Sequence, residues 1–328
     1  MCAEPTWQGI PPRIKQDIVT SLDYRSRFRL RVCSKSEQYL VDNSPIILEG
    51  LTISWRPSGF ALAVKKDGKV SEIHDNSTDK LINLFFDVFK VKRSFVKNVG
   101  VQFLLYMNEI RLEPLITRIQ LMTDHDLKIR TKHASLIVHG LSNQDFTNFF
   151  QLFDSKVLES FKFENKHSQD QLKEISSFEV WKSLRQIDIC RIKSVPLDSF
   201  LHMNRLKYFS SNLSSEDIWK LVSTFLKRAD LLSGFGFSVT CGNNLTKNEV
   251  VSGLGEQFKS LSISLNGNQY ELSQLFSTLA ADLVFVVTLE FKKLQGYVCS
   301  RRTINEDFEE FSKWDNAPFA FLRSNPSN

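Results

Sequence analysis

One pattern constrains the chain more than any other: short strand-like apolar runs recur along its second half. The runs TRIQL, ASLIV, LESFKF, LRQIDI, LKYFSS, LSGFGF and SLSIS centre on Ile119, Leu136, Phe161, Ile187, Phe209, Phe235 and Leu261. From Leu136 onward the steps are 25, 26, 22, 26 and 26 residues. Several runs have the form Leu-x-x-apolar-x-apolar, and helix-like segments such as DIWKLVSTFLKRA separate them. A unit of that length holds one strand and one helix. Neither buries its apolar face alone, so the units have to stack.

A second repeat supports the first. GLSNQDF at Gly140, NLSSEDI at Asn212 and NLTKNEV at Asn244 share one form, a strand end turning into a capped helix. Ser142 with Asp145, Ser214 with Asp217 and Thr246 with Glu249 have the S/T-x-x-D/E spacing in which a hydroxyl accepts from the third helical N–H and an acid faces the positive helix start. The expected fold class is therefore α/β, a leucine-rich-repeat-like strand-helix repeat domain with a parallel sheet, preceded by a short unit of three helices. The anchors Leu136, Phe161, Ile187, Phe235 and Leu261 are expected to be buried together. In such a stack, specificity lies in the exposed positions between the anchors. Lys162, Arg185, Asp188, Lys207 and Tyr208 are accordingly the candidate target-binding residues, and their mixture names no ligand class.

Upstream of the repeats, IILEGLTISW, FALAVKK and KVSEIHD predict a small meander, with turns at Pro57 to Gly59 and at Asp67 and Gly68. LINLFFDVFKVKRSFV, Leu81 to Val96, is apolar on most faces and predicts a buried helix or a connector packed on both sides.

The first 45 residues are read as helical. Ile14, Ile18 and Leu22 recur at i, i+4 and i+8, and the first turn tolerates Pro11 and Pro12 because those N–H groups would lack partners anyway. Asp23 stands at an N-cap position before Tyr24, Phe28 and Val32 at helical spacing. Arg25, Arg27, Arg29 and Arg31 fall on every second residue, but on a helix they divide between two flanks, a solvated edge rather than a nucleic-acid stripe. Ser34 with Glu37 is a capping box opening a third helix. So small a unit cannot bury its own apolar surface and needs a partner, either another chain or, alternatively, the repeat domain it would cap.

Ile10, Pro11, Ile14, Ile18, Leu22, Leu30 and the pair Val32 and Cys33 make this stretch resemble the F-box. Ile10 stands where leucine is usual, Arg13 where an acid is frequent, and Ser36 where tryptophan is common. The forms TW, IPPRI, LDYRSRFRLRVCS and LVDNSPI are similar to the large nematode family of F-box proteins, and FEVWKSLRQIDICRIKSVPLDSFLHM with LSSEDIWKLV resembles the FTH-type region of that family. The resemblance implies that the eight F-box residues just named dock a Skp-type adaptor and, through it, a cullin. It also implies that the repeat region binds a target protein of unknown identity. The expected division is 6–45 F-box, 46–114 meander and connecting helix, 115–295 FTH-type repeat domain and 296–328 C-terminal segment. A repeat-type binding scaffold unconnected with ubiquitination is the alternative.

Composition narrows the field further. Net charge is +5, from 42 basic and 37 acidic residues spread along the chain, so no polyanion partner is expected. The longest apolar run, LVFVVTL at Leu283 to Leu289, is far below the roughly 20 residues a membrane helix needs. No signal-like segment opens the sequence, so a cytoplasmic or nuclear location is expected, with the sequons at Asn76, Asn212 and Asn244 unmodified. The five cysteines, Cys2, Cys33, Cys190, Cys241 and Cys299, are scattered and predict reduced thiols. His125, His133 and His139 lack metal-ligand spacing, and GFG at Gly234 and GLG at Gly253 lack the residues that hold phosphates and are read as turns or tight strand positions. Glu309 and Glu310 lie in NEDFEEFSKW, which is read as an amphipathic terminal helix. No nucleophile with a base is found, and neither cofactor nor metal is expected. The chain reads as a non-catalytic substrate-recognition adaptor.

Overall fold

The structure, a computed structural model of the chain, describes residues 6–56, 59–75, 77–103, 112–138, 141–164, 169–190, 197–210, 213–230, 232–242, 246–254, 261–262, 272–290, 292–304 and 306. Pro57, Ser58, Asn76, His139, Gly140, Asn212, Asn244, Glu309 and Glu310 lie outside the described residues, as does Cys2.

Three short helices open the chain: α1 (Pro12–Ser21), α2 (Tyr24–Arg31) and α3 (Lys35–Asn43). Asp23 caps α2 by accepting from the Ser26 N–H at 2.9 Å, and Ser34 caps α3 by accepting from that of Glu37 at 3.3 Å. A hairpin pair follows, β1 (Ile47–Arg56), β2 (Gly59–Lys66) and β3 (Lys69–Asp75), antiparallel throughout. Asp67 and Gly68 both have positive φ, 52° and 72°, as a two-residue hairpin turn of type I′ requires.

Strands and helices then alternate as α4 (Thr78–Asp87), β4 (Phe95–Phe103), α5 (Glu113–Asp124), β5 (Thr131–Val138), α6 (Asn143–Gln151) and β6 (Ser160–Glu164). They continue as α7 (Gln169–Ser176), α8 (Glu179–Ser183), β7 (Gln186–Cys190), β8 (Arg205–Ser210), α9 (Ser215–Lys227), β9 (Gly236–Cys241) and α10 (Lys247–Leu254). Four strands close the chain: β10 (Leu261–Ser262), β11 (Leu272–Ser277), β12 (Leu283–Glu290) and β13 (Lys293–Ser300).

Among the described residues all 13 strands form one sheet, in the order β10-β11-β12-β13-β9-β8-β7-β6-β5-β4-β1-β2-β3. Its centre, β1 with β4 through β9, is parallel. Both flanks are antiparallel. At the seam between the two patterns β9 meets β13, and a Cβ on Gly236 would lie 2.3 Å from the Gly296 carbonyl oxygen, so only glycine fits.

The capped turns hold: Ser142 and Ser214 accept from the Asp145 and Asp217 N–H groups, each at 3.1 Å, and Thr246 from that of Glu249 at 3.3 Å. Leu136, Phe161, Ile187 and Phe235 are buried in one core with Phe146, Phe149, Phe150 and Trp181 from the helices. The side chain of Leu261 is not among those described.

Four expectations change. Ile119 lies in α5, not in a strand, because Leu115, Ile119 and Met122 share a buried helical face. The stretch Leu81 to Val96, expected as a buried helix or a connector, divides: the helix ends at Asp87, and Phe95 opens a strand that extends the parallel series upstream to β1. Leu261 belongs to a strand antiparallel to β11, so the parallel pattern stops at β9. Gly253 lies within α10 rather than in a turn.

Candidate functional site

The residues expected to bind partners fall in two places. The first is the three-helix unit, which is held by a set of polar ties. Among its described side chains one apolar residue is fully buried, Val19. Arg27 is also buried, at 5 % exposure, where the sequence placed it on a solvated edge. Its guanidinium donates to the carbonyls of Val19 at 2.8 Å, Ser44 at 3.4 Å and Pro45 at 2.8 Å, joining the end of α1 to the junction between α3 and the sheet. Burial lowers its pKa from the ordinary value. Lys66, on β2, donates to the last carbonyls around α1, those of Thr20, Ser21 and Leu22 at 3.4, 2.8 and 2.6 Å. A cation at a helix C-terminus satisfies orphan carbonyls and meets the negative end of the dipole. Arg31 with Asp42 (2.6 and 3.1 Å) and Trp7 with Glu37 (3.1 Å) close the unit.

The apolar residues expected to meet an adaptor are distributed over this unit. Ile14 is 50 % exposed and Val32 66 %, Pro11 and Cys33 are exposed, and Ile10, Ile18, Leu22 and Leu30 are half-buried. Tyr39 on α3 is 73 % exposed and was missed; an aromatic among Glu37, Gln38 and Asp42 on a short helix is the signal that could have found it.

The second surface is the sheet face opposite the apolar anchors. In each central strand the residue between two core-facing neighbours points the other way, and the strand register aligns these residues into one row. Across the sheet it runs Thr52, Gly100, Ser135, Lys162, Asp188, Lys207, Ser238, Gln295 and Thr288. At its centre the Lys162 ammonium lies 3.3 Å and that of Lys207 3.8 Å from the same oxygen of Asp188. The row beside it is half-buried and polar: Asn98, His133, Gln186 and Arg205 with the buried Ser160. His133 Nδ1 lies 2.7 Å from Ser160 Oγ, and burial lowers the His133 pKa.

Of the five predicted target-binding residues, the structure brings Lys162, Asp188 and Lys207 together. Two positional expectations are corrected. Lys162 and Asp188 are not exposed but 7 % and 4 % accessible, because they form the middle of the sheet face rather than its rim. Tyr208 faces the opposite way: it pairs with Ile189 on the core side and is buried, which raises its pKa, while Phe209 takes the outer face. Arg185 is exposed and sits at the strand entrance, its carbonyl accepting from Asn204 and Arg205 N–H at 2.7 and 3.1 Å. The sequence missed Ser135 and Ser238. They occupy the same place between two apolar neighbours as Lys162 and Asp188, so position within the run was the available signal.

Among the described residues no cluster of histidine, cysteine, aspartate and glutamate could hold a metal ion, and no helix is long and apolar enough to cross a membrane. Cys241 is buried, which pushes its thiol pKa up to about 11.

Comparison with known families identifies two domains along the chain. A family model of the F-box domain matches residues 7–48, which are the three helices and the first residues of β1, so this stretch is an F-box domain. A second family model, the FTH domain, matches residues 115–252, from α5 into α10. The two matches are those of an F-box protein with an FTH-type C-terminal region, and the F-box supports, in general terms, a role as an adaptor in SCF-type ubiquitin ligases through a Skp-type adaptor. No curated protein matches the chain.

Proposed function

We propose that the protein is a non-catalytic substrate receptor: the three helices dock a Skp-type adaptor through Ile10, Pro11, Ile14, Ile18, Leu22, Leu30, Val32 and Cys33, and the polar sheet face binds the protein to be ubiquitinated. The observation that carries the docking half is the imbalance of the helical unit, which buries Val19 while leaving Ile14 and Val32 half or more exposed. Exposed apolar side chains on a unit with one fully buried apolar residue among its described side chains support an interaction surface. The target half is supported by a face of aligned polar residues on a rigid sheet, away from the adaptor helices in sequence.

Replacing Ile14 and Val32 together by aspartate tests the docking half, because both side chains are exposed in the free chain and charge at a buried interface is costly. Capture of a purified Skp-type adaptor should be abolished while the circular dichroism spectrum stays as in the parent. Undiminished capture by the double variant would remove this face from the interaction. Failure of the parent itself to bind would leave a repeat-type scaffold unconnected with ubiquitination.

A further inference from the structure

A cleft of about 430 Å³ opens where the three-helix unit meets α4. Its walls are Val41 on α3, Leu84 on α4 and Val91 just beyond α4, all half-buried. The rim residues Asp42, Asp87 and Lys90 are exposed, so solvent reaches the space between them. Arg27 and Val88 lie deeper, at 5 % and 6 % exposure. Apolar walls around a few polar groups, in a cavity of this volume, are the properties of a small-molecule site.

Charge decides which kind of molecule fits. The rim carboxylates are already compensated: Arg31 lies 2.6 Å from Asp42, and Lys90 and Arg118 each lie 2.8 Å from Asp87. Arg27 differs from all of these. Its bonds, from Nε and Nη2, go to backbone carbonyls, which cancel no charge, and among the described residues no carboxylate forms an ion pair with it. Nη1 takes part in none of those bonds. A buried cation is ordinarily balanced by an anion, and here the balancing group is missing beside a cleft with room for one.

We infer that the cleft binds a small amphipathic carboxylate, its anionic group on Arg27 Nη1 and its aliphatic body between Val41, Leu84 and Val91. An ion with no apolar part leaves these walls wet, and a neutral apolar molecule leaves Arg27 without its counter-charge. Because one wall belongs to α3 and the opposite one to α4, the ligand ties the helical unit to the sheet domain. The inference depends on neither the adaptor reading nor the target reading.

The probe is octanoate, titrated calorimetrically into the full-length protein, with octanol, octylammonium and inorganic phosphate as controls. Octanoate should bind with a Kd of about 1 mM or below, and about tenfold or more tighter than each control. Hydrogen exchange in α3 and α4 should slow on binding, while that in α9 and α10 stays unchanged. Leu84→Trp and Val41→Trp fill the cleft from opposite walls, and each should weaken octanoate about tenfold while keeping the circular dichroism spectrum of the parent. Arg27→Gln should bring octanoate down to the affinity of octanol. Lys90→Met, which removes a rim cation, should leave the preference for octanoate within about twofold of the parent.

No octanoate binding, octanol binding as tight as that of octanoate, or unchanged affinity in both tryptophan variants would overturn the inference. So would a preference that is lost in Lys90→Met and kept in Arg27→Gln. Arg27 also holds three carbonyls, so if Arg27→Gln loosens the helical unit the tryptophan variants decide, since they leave those bonds in place.

Discussion

In the sheet domain Phe161 is fully buried beneath the rings of Phe146, Phe150, Phe153 and Phe163, with centroids 5.1 to 6.4 Å away. In the helical unit the corresponding role falls to Arg27, a guanidinium holding three carbonyls. The first region is stabilised by burial of large apolar surface, which is non-directional and tolerant of small displacements. The second depends on a few directional bonds, each lost entirely if one partner moves. The difference follows from size. A unit of some 40 residues has little room for an interior of its own, so ties to the sheet such as those of Lys66 contribute to its stability, and Ile14 and Val32 stay exposed. Where the sheet has surplus interior, it places polar groups on its other face.

The largest expected effect lies in the sheet. Phe161→Ala should cost about 3–5 kcal/mol in chemical denaturation, since the surrounding rings cannot collapse into the space. A loss near 1 kcal/mol would mean a looser core than the ring geometry implies, and would erase the contrast with the helices.

Arg27→Leu sharpens the comparison from the other side. It leaves the carbonyls of Val19, Ser44 and Pro45 without their donor and should cost about 2–3 kcal/mol, confined to the helical unit. Hydrogen exchange should accelerate in α1 and α3 while the amides of β5 to β7 keep their protection. Equal loss of protection in both regions would show the two to be one cooperative unit, and the comparison would fail.

How much of this was legible in the sequence divides along the same line. The capped turns were, because Ser142, Ser214 and Thr246 act over three residues and local spacing fixes them. The anchors Leu136, Phe161 and Ile187 were, because a repeating apolar strand announces its own face. Ile119 was misplaced because a short apolar run fits period 2 and period 3.6 equally well, and the helix of which TRIQL is part became visible only with Leu115 and Met122.

Tyr208 was assigned to the wrong side because a slip of one residue exchanges the faces of a strand, and Phe209 beside it is equally apolar. The antiparallel closure by β11 to β13 depends on where the chain returns, which no local pattern encodes. Arg27 shows a further limit: its role is set by carbonyls 8, 17 and 18 residues away, and a helical wheel of its own segment holds none of them. The polar row was half legible. Lys162, Asp188 and Lys207 drew notice as charges between apolar neighbours, whereas Ser135 and Ser238 in the same register did not.

The smallest effect expected separates the regions by pH. His133 lies on the sheet face with its Nδ1 2.7 Å from Ser160 Oγ, and the helical unit contains no histidine. Burial, the dominant influence, holds the His133 pKa below the ordinary 6.5, with Lys97 and Lys132 acting in the same sense and Glu159 against them. Because the folded imidazole is the weaker base, its contribution to stability is fully present above pH 6.5 and is lost as the pH falls through the folded value, where the unfolded chain already binds the proton. Between pH 7 and pH 5 the amides of β5 and β6 should therefore lose protection, after correction for intrinsic exchange rates, and His133→Gln should flatten that dependence. The amides of α1 to α3 should not follow. If they lose protection in step with β5, proton uptake at the sheet is felt by the adaptor helices, and the two regions are coupled through the joint that Lys66 and Arg27 make.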